Sequence, residues 1–318
     1  MFKILILFIE HFFLPGLFFL WQWKRVYKSK FDGLFMSLMV GVYVFYVYQI
    51  GDWYIYGYYF RYLLLGAFVI VLFKTLYAIR NLPFWVRKNP KERFGIYFIG
   101  FFTLVVLALG TWAFWGRFIS GDTVALELPL KHGSFYVVEG GNSPLINNHH
   151  HFFPLPEKYS VELVKLDNIG KYAASLFPDE LSAFEIYGEK VYSPCSGVVV
   201  SVVDSFPDLK PSQLKDQEDI FLGNVVTIEH ESIQVVLACL KQNSIVVQPG
   251  DTIESGNLIA EVGNSGFIGG PFNVTLEPHL HIHASRKSAR ENFPFEREGV
   301  PILFNGEFSI KNMLINVP

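Results

Sequence analysis

The sequence predicts an α-helical membrane bundle of about four spans followed by an all-β domain. Three observations predict it. Of the 318 residues, 51% are hydrophobic and 17% charged, where an ordinary soluble domain carries about 25% charged residues; Phe alone occurs 32 times. Charge is also split along the chain. Residues 1–116 hold 12 Lys/Arg against 4 Asp/Glu (net +8), and residues 117–318 hold 14 against 25 (net −11), as expected of two domains in different solvents. Finally, long apolar runs give way after Arg117 to short Val- and Ile-rich runs bounded by turn residues.

A spanning helix needs about 20 mostly apolar residues. Residues 33–51 and 94–116 meet that length without a charge. Residues 58–79 form a third segment, with Arg61 and Lys74 near enough to its ends to snorkel. Residues 4–23 form a fourth, interrupted by Glu10, His11 and Pro15. It does not read as a cleaved signal peptide, because one Lys precedes it and no small-x-small site follows. Glu10 and His11 leave two readings open: polar residues facing the bundle interior or the head-group layer, or a functional pair.

Basic residues cluster in two connections: Lys24, Arg25, Lys28 and Lys30, and then Arg80, Arg87, Lys88, Lys91 and Arg93. The positive-inside rule puts both in the cytoplasm and residues 117–318 outside it, with the lipid bilayer as the first partner. The expected division is a membrane domain at 1–116, a connector at 117–134, a β domain at 135–290 and a C-terminal tail at 291–318.

The runs 191–204, 224–230, 233–240 and 243–253 read as strands, with turns at Pro249-Gly250-Asp251 and Glu254-Ser255-Gly256-Asn257. They suggest a barrel or sandwich. A helical period appears only at 171–184, and the polar, Pro-containing stretch 205–221 reads as a surface loop. The acidic domain has no basic stripe to neutralise phosphates, which excludes a nucleic-acid partner. Cys195 and Cys239 are too few for a disulfide framework or a four-cysteine zinc site, and one bridge between them stays open.

The strongest chemical signal is Pro278-His279-Leu280-His281-Ile282-His283. In a strand, residues two apart share a face, so His279, His281 and His283 line one side while Leu280 and Ile282 pack on the other. Several imidazoles on one face suit a zinc ion. Upstream lie Asn147-Asn148-His149-His150-His151 and the apolar alternation around Glu162. A carboxylate on such a strand must be paired or bound to a metal. Glu162 with one upstream and one downstream His would make a two-His, one-carboxylate set that leaves a fourth position for water. The alternatives are structural histidines and, for His149, His150 and His151, a solvated loop.

Residues 135–287 resemble peptidase family M23, the zinc metallopeptidases of lysostaphin and LytM type. The resemblance rests on Asn148-His149, Tyr159-Ser160-Val161-Glu162, Gly223-Asn224-Val225-Val226, Ala238-Cys239-Leu240, Gly263-Asn264-Ser265-Gly266 and Pro278-His279-Leu280-His281, in this order. It implies a lysostaphin-like duplicated hybrid motif, or barrel-sandwich, fold and hydrolysis of peptide bonds in cell-wall peptidoglycan. It also implies a bacterial inner-membrane location with the β domain in the periplasm. His281, His149 and Glu162 would then be zinc ligands and His279 the catalytic base, with His150, Cys239 and His283 as alternatives around the site. The family has Asp where Glu162 stands and His where Cys239 stands, and 267–277 is a longer turn than usual. Two other readings stand beside the peptidase: a catalytically degenerate module that binds wall or partner proteins, and a biotinyl-type carrier. The carrier ranks last, because no modifiable Lys sits in a tight hairpin.

Overall fold

The computed structural model describes residues 2–152, 155–211, 222–266, 277–288 and 296–318, and the side chains of all of these except 2, 3, 151 and 152. The chain forms two compact units: Met1–Trp53 with Tyr58–Trp115, and Tyr54–Gly57 with Gly116–Pro318.

The first unit is helical. Helix α1 (Phe2–Phe8) runs through a π-helical turn (Ile9–Phe13) into α2 (Leu14–Lys24), followed by α3 (Lys30–Ile50), the short α4 (Trp53–Tyr56), α5 (Phe60–Ile79) and α6 (Pro90–Trp115). Four stretches are long and apolar enough to cross a membrane: Ile4–Lys24, Lys30–Ile50, Phe60–Ile79 and Pro90–Trp115. Two begin before their charge-free runs because polar caps start them. The Ser29 hydroxyl accepts from the Asp32 amide at 3.3 Å. Asn89 and Glu92 exchange side-chain-to-amide bonds of 2.9 and 3.0 Å, with Pro90 at the first helical position. The π turn lies where Pro15 cannot donate to the carbonyl four residues back. His11 sits in this turn, buried, with Nδ1 2.7 Å from the Leu7 carbonyl and its ring edge-on to Trp53. Gln22 is also buried, and its amide donates to Ser37 Oγ at 2.8 Å and Thr75 Oγ1 at 3.0 Å, tying α2 to α3 and α5.

The second unit is built of strands. They are β1 (Val124–Leu126), β2 (Gly133–Glu139), β3 (Val161–Leu166), β4 (Lys190–Tyr192), β5 (Gly197–Val203), β6 (Asn224–His230), β7 (Ile233–Leu240) and β8 (Thr252–Ile253). Then come β9 (Leu258–Glu261), β10 (Leu280–Lys287), β11 (Arg297–Val300), β12 (Ile302–Phe304), β13 (Glu307–Phe308) and β14 (Leu314–Val317). The main sheet is antiparallel in the order β14-β2-β3-β10-β7-β6-β5-β8, with β11 also paired to β10. One face is the core: Phe135, Val137, Val161, Leu163, Val235, Leu237, Leu280, Ile282 and Ala284 all point into it. The two-residue strand period sends Glu162, His281 and His283 to the opposite face.

The structure bears on three points of the sequence reading. The connector and the tail belong to the β unit: Val124–Leu126 pairs with Ile302–Phe304, and β14 pairs with β2. Both segments alternate too briefly to read as strands until a partner is present. Residues 171–184 form no α-helix, only a short 3₁₀ turn at Leu181–Ala183 and a bridge between Ala173 and Phe184; Pro178 interrupts the helical period. Cys195 and Cys239 are free and buried. Gly250 and Gly256 take the positive φ their turns require, +97° and +83°. Residues 205–211 carry no helix or strand; the rest of the expected loop, and 267–276 of the long turn, lie outside the described residues.

Gly223 has φ +66°, and a Cβ there would meet the Gly266 amide nitrogen at 2.4 Å. Gly223→Ala is expected to destabilise the protein by about 2–3 kcal/mol, from left-handed strain plus backbone overlap. An unchanged Tm in thermal unfolding would contradict this close packing.

Candidate metal centre

The site forms where β3 and β10 pair. Their register sets Glu162 directly across from His281, so the two side chains leave the sheet together on the non-core face. On the other flank His281 faces Ala238, whose small side chain leaves room beside the imidazole. The third member comes from outside the sheet. His149 opens α7 (His149–Phe152), and its Nε2 lies 2.8 Å from Glu162 Oε1. One donor atom each from His149, Glu162 and His281 falls within 4.8 Å of the others, and all three residues are buried. Two imidazoles and a carboxylate at this spacing fit a zinc ion with one coordination position left open.

A shell of polar groups fixes His149. The Asn147 side chain accepts from the His149 amide at 3.1 Å and donates to the carbonyls of Gly141 and Ser160 at 3.1 and 3.2 Å. Glu139 accepts from the Asn148 amide at 2.8 Å and its side chain at 3.0 Å. Glu157, also buried, places Oε2 3.5 Å from His149 Nδ1. A carboxylate behind a ligating imidazole sets its tautomer and raises its basicity. Burial alone would lower the His149 pKa, but Glu157 and Glu162 outweigh it and push it up to about 9. Burial likewise works against the Glu162 carboxylate, yet His279, His149 and His281 hold it well below the usual range.

His281 presents Nδ1 to Glu162 at 4.0 Å, while its Nε2 lies 3.0 Å from His283 Nδ1. Burial, then the neighbouring imidazoles, keeps His283 well below its ordinary pKa, and its Nδ1 shares a hydrogen bond with His281 Nε2. His283 therefore stands behind the donor set. Burial also lowers the His281 pKa, which keeps its Nδ1 lone pair free. His279 precedes β10 and donates from Nδ1 to the Glu277 carbonyl at 2.7 Å, leaving Nε2 as the basic nitrogen. That atom lies 4.0 Å from Glu162 Oε1 and 3.4 Å from Cys239 Sγ. Burial opposes its cation, but Cys239 and Glu162 push its pKa up to about 10.

Cys239 reaches His279 through a bulge. Leu237 pairs with Val226 and Leu240 with Asn224, so Ala238 and Cys239 together oppose one residue. Cys239 takes φ +61°, and the bulge lets two successive side chains face the site. The neighbouring turn closes over the thiol: a Cβ on Gly266 would meet Cys239 Sγ at 2.6 Å. Ser265 Oγ accepts from the Asn224 amide and donates to the Leu240 carbonyl, at 3.0 and 2.6 Å. Cys239 is outside the donor set, as is His150, whose Nε2 lies 3.0 Å from Asn142 Oδ1. His151 lies in α7, with its side chain outside the described atoms. Sequence reasoning missed Glu157 and Glu139. Glu157 sits in a 3₁₀ turn and Glu139 beyond a bulge, so neither carries a strand period that signals burial.

Residues 182–293 match the family model described as Peptidase family M23. The matched stretch contains Cys239, His279 and His281; His149 and Glu162 precede it. Among solved structures, the chain is similar to a zinc-containing peptidase from Vibrio cholerae at 18% identity and TM-score 0.30, covering 62% of this chain and 41% of that one. It is similar to the catalytic domain of the prophage-encoded M23 protein EnpA from Enterococcus faecalis at 15% identity and TM-score 0.31, covering 54% and 93%. Lysostaphin from Staphylococcus simulans is similar at 15% identity and TM-score 0.26, covering 50% and 44%. The chain thus spans less than half the length of the Vibrio cholerae peptidase. A comparison with curated proteins finds no match.

Two outcomes test this centre. Zinc taking His149 Nε2 displaces a proton held with a pKa of about 9. Zinc affinity, measured by competition with a chromogenic chelator, is therefore expected to rise about tenfold per pH unit from pH 7 and level off above about 9. Affinity flat between pH 7 and 9 would contradict the proton that Glu157 and Glu162 are expected to hold on His149. Glu157→Gln is expected to weaken zinc binding by about 10- to 100-fold in the same titration; wild-type affinity would show that Glu157 does not support His149.

Proposed function

We propose that this protein is a membrane-anchored zinc metallopeptidase that hydrolyses peptide bonds in cell-wall peptidoglycan. The observation that carries the proposal is the convergence of His149, Glu162 and His281 beside His279 in a chain with a Peptidase family M23 domain. His149 Nε2, a Glu162 oxygen and His281 Nδ1 would hold the ion, backed by Glu157 and His283. When bound, zinc lowers the pKa of a coordinated water toward ~7, polarises the scissile carbonyl, and by its charge draws His279 back toward its basic form. The Glu277 carbonyl holds the His279 Nδ1 proton, so Nε2 is the atom that takes a proton from the attacking water and returns it to the leaving amine.

The four apolar helices support anchoring. The basic residues at 24–30 and 80–93 support insertion with residues 116–318 outside the cytoplasm, in the periplasm of a bacterial cell. That side holds the wall substrate. The thiol at Cys239 favours a second reading, a wall-binding domain without turnover, because Cys is a weak hydrogen-bond donor beside His279 where an imidazole would be stronger.

The test uses the full chain in lipid nanodiscs with purified peptidoglycan. About one zinc per chain is expected, lost in His281→Ala. His279→Ala should keep zinc and release muropeptide fragments at least about 100-fold more slowly. A zinc-loaded chain that leaves peptidoglycan intact would refute the peptidase reading and leave the wall-binding one.

A further inference from the structure

The segment Tyr54–Gly57 lies in sequence between two long apolar helices, yet it packs as part of the β unit. Two spans separate it from residue 116, so it emerges on the same side as the β strands whichever way the chain is inserted. The Tyr54 ring sits edge-on to Tyr172 at 4.9 Å and against Tyr136 at 5.4 Å. Tyr136 is on β2 opposite Val164, two residues from Glu162 along β3 and on the same face. The Tyr54 carbonyl accepts from the Tyr172 amide at 3.4 Å. Its hydroxyl donates to Glu277 Oε2 at 3.4 Å, and the Glu277 carbonyl accepts from His279 Nδ1 at 2.7 Å.

We infer that Tyr54 is a positioning residue for His279: it pins the Glu277 side chain, and Glu277 in turn presents the carbonyl that fixes the His279 tautomer. This rests on the peptidase reading for its catalytic consequence, but the positioning stands on geometry. Residue 277 leads into β10 without a ladder bond of its own, since the pairing of β10 begins at Leu280. Among the described residues, Tyr54 supplies the Glu277 side chain with a contact from a segment held by two tyrosine rings. A peptidase domain cut from residue 116 onward would lack this contact.

The experiment compares full-length wild type, Tyr54→Phe and Tyr172→Phe in nanodiscs. Tyr54→Phe keeps the ring and removes only the hydroxyl. It is expected to lower kcat about three- to tenfold with KM and zinc content unchanged. In the zinc-loaded protein the ¹⁵N spectrum of His279 should move from the Nδ1–H tautomer toward a mixture. Tyr172→Phe removes a hydroxyl from the same ring cluster and should change neither. Wild-type kcat and an unaltered His279 spectrum in Tyr54→Phe overturn the inference, and so does an equal effect in Tyr172→Phe, which would assign the effect to ring packing. Wild type without turnover refutes the peptidase reading; the His279 tautomer then decides the Tyr54 inference separately.

Discussion

The β3–β10 register is the constraint on which the rest depends. It sets Glu162 opposite His281. Because strand side chains alternate, a slip of one residue would send Leu280 and Ile282 to the site and the imidazoles into the apolar core. The register is held by what lies underneath. Val161, Leu163, Leu280 and Ile282 are all fully or almost fully buried, and the slip would take Leu280 and Ile282 out of the apolar core. Hydrophobic packing on one face thus fixes how Glu162 and His281 are placed on the other.

His149 has no such guarantee, because it arrives on a four-residue helix. Here polar groups do the work that packing does for Glu162. Asn147, Glu139 and Glu157 satisfy the backbone and the rear of the imidazole. Burying Glu157 and Glu162 at one site, with Glu139 half-buried beside them, carries a desolvation cost that only hydrogen bonds and opposite charge can offset. That supply comes from His149, His279 and Lys311, whose Nζ lies 3.6 Å from Glu139 Oε1. The arrangement suits a site that must exchange a proton for a cation.

The bulge at Ala238-Cys239 solves a different problem. A regular strand would point only one of these two residues at the site. The extra residue and the positive φ at Cys239 turn both toward it, so a small side chain flanks His281 and a thiol flanks His279. The glycines around it are placed for the same purpose, since side chains at Gly223 or Gly266 would overlap the turn or the sulfur.

Much of this was legible in the residues. The alternation in Pro278–His283 and around Glu162 placed the imidazoles and the carboxylate on one face and core on the other, because a two-residue period follows from strand geometry alone. The charge-free runs located the long apolar helices, while the polar caps at Ser29 and Asn89 set where two of them start. Other features needed the tertiary structure. The choice of His149 over His150 depended on where a short helix docks, which no period encodes. The strands at 124–126 and 314–317 are too short to be read without their partners. Glu157 and Tyr54 belong to the site only through contacts distant in sequence. By itself, the sequence determined which faces are apolar and which chemistry is present, since both follow from residue type and local geometry. Only the folded chain decided which imidazole meets Glu162 and what stands behind it, because those are long-range distances.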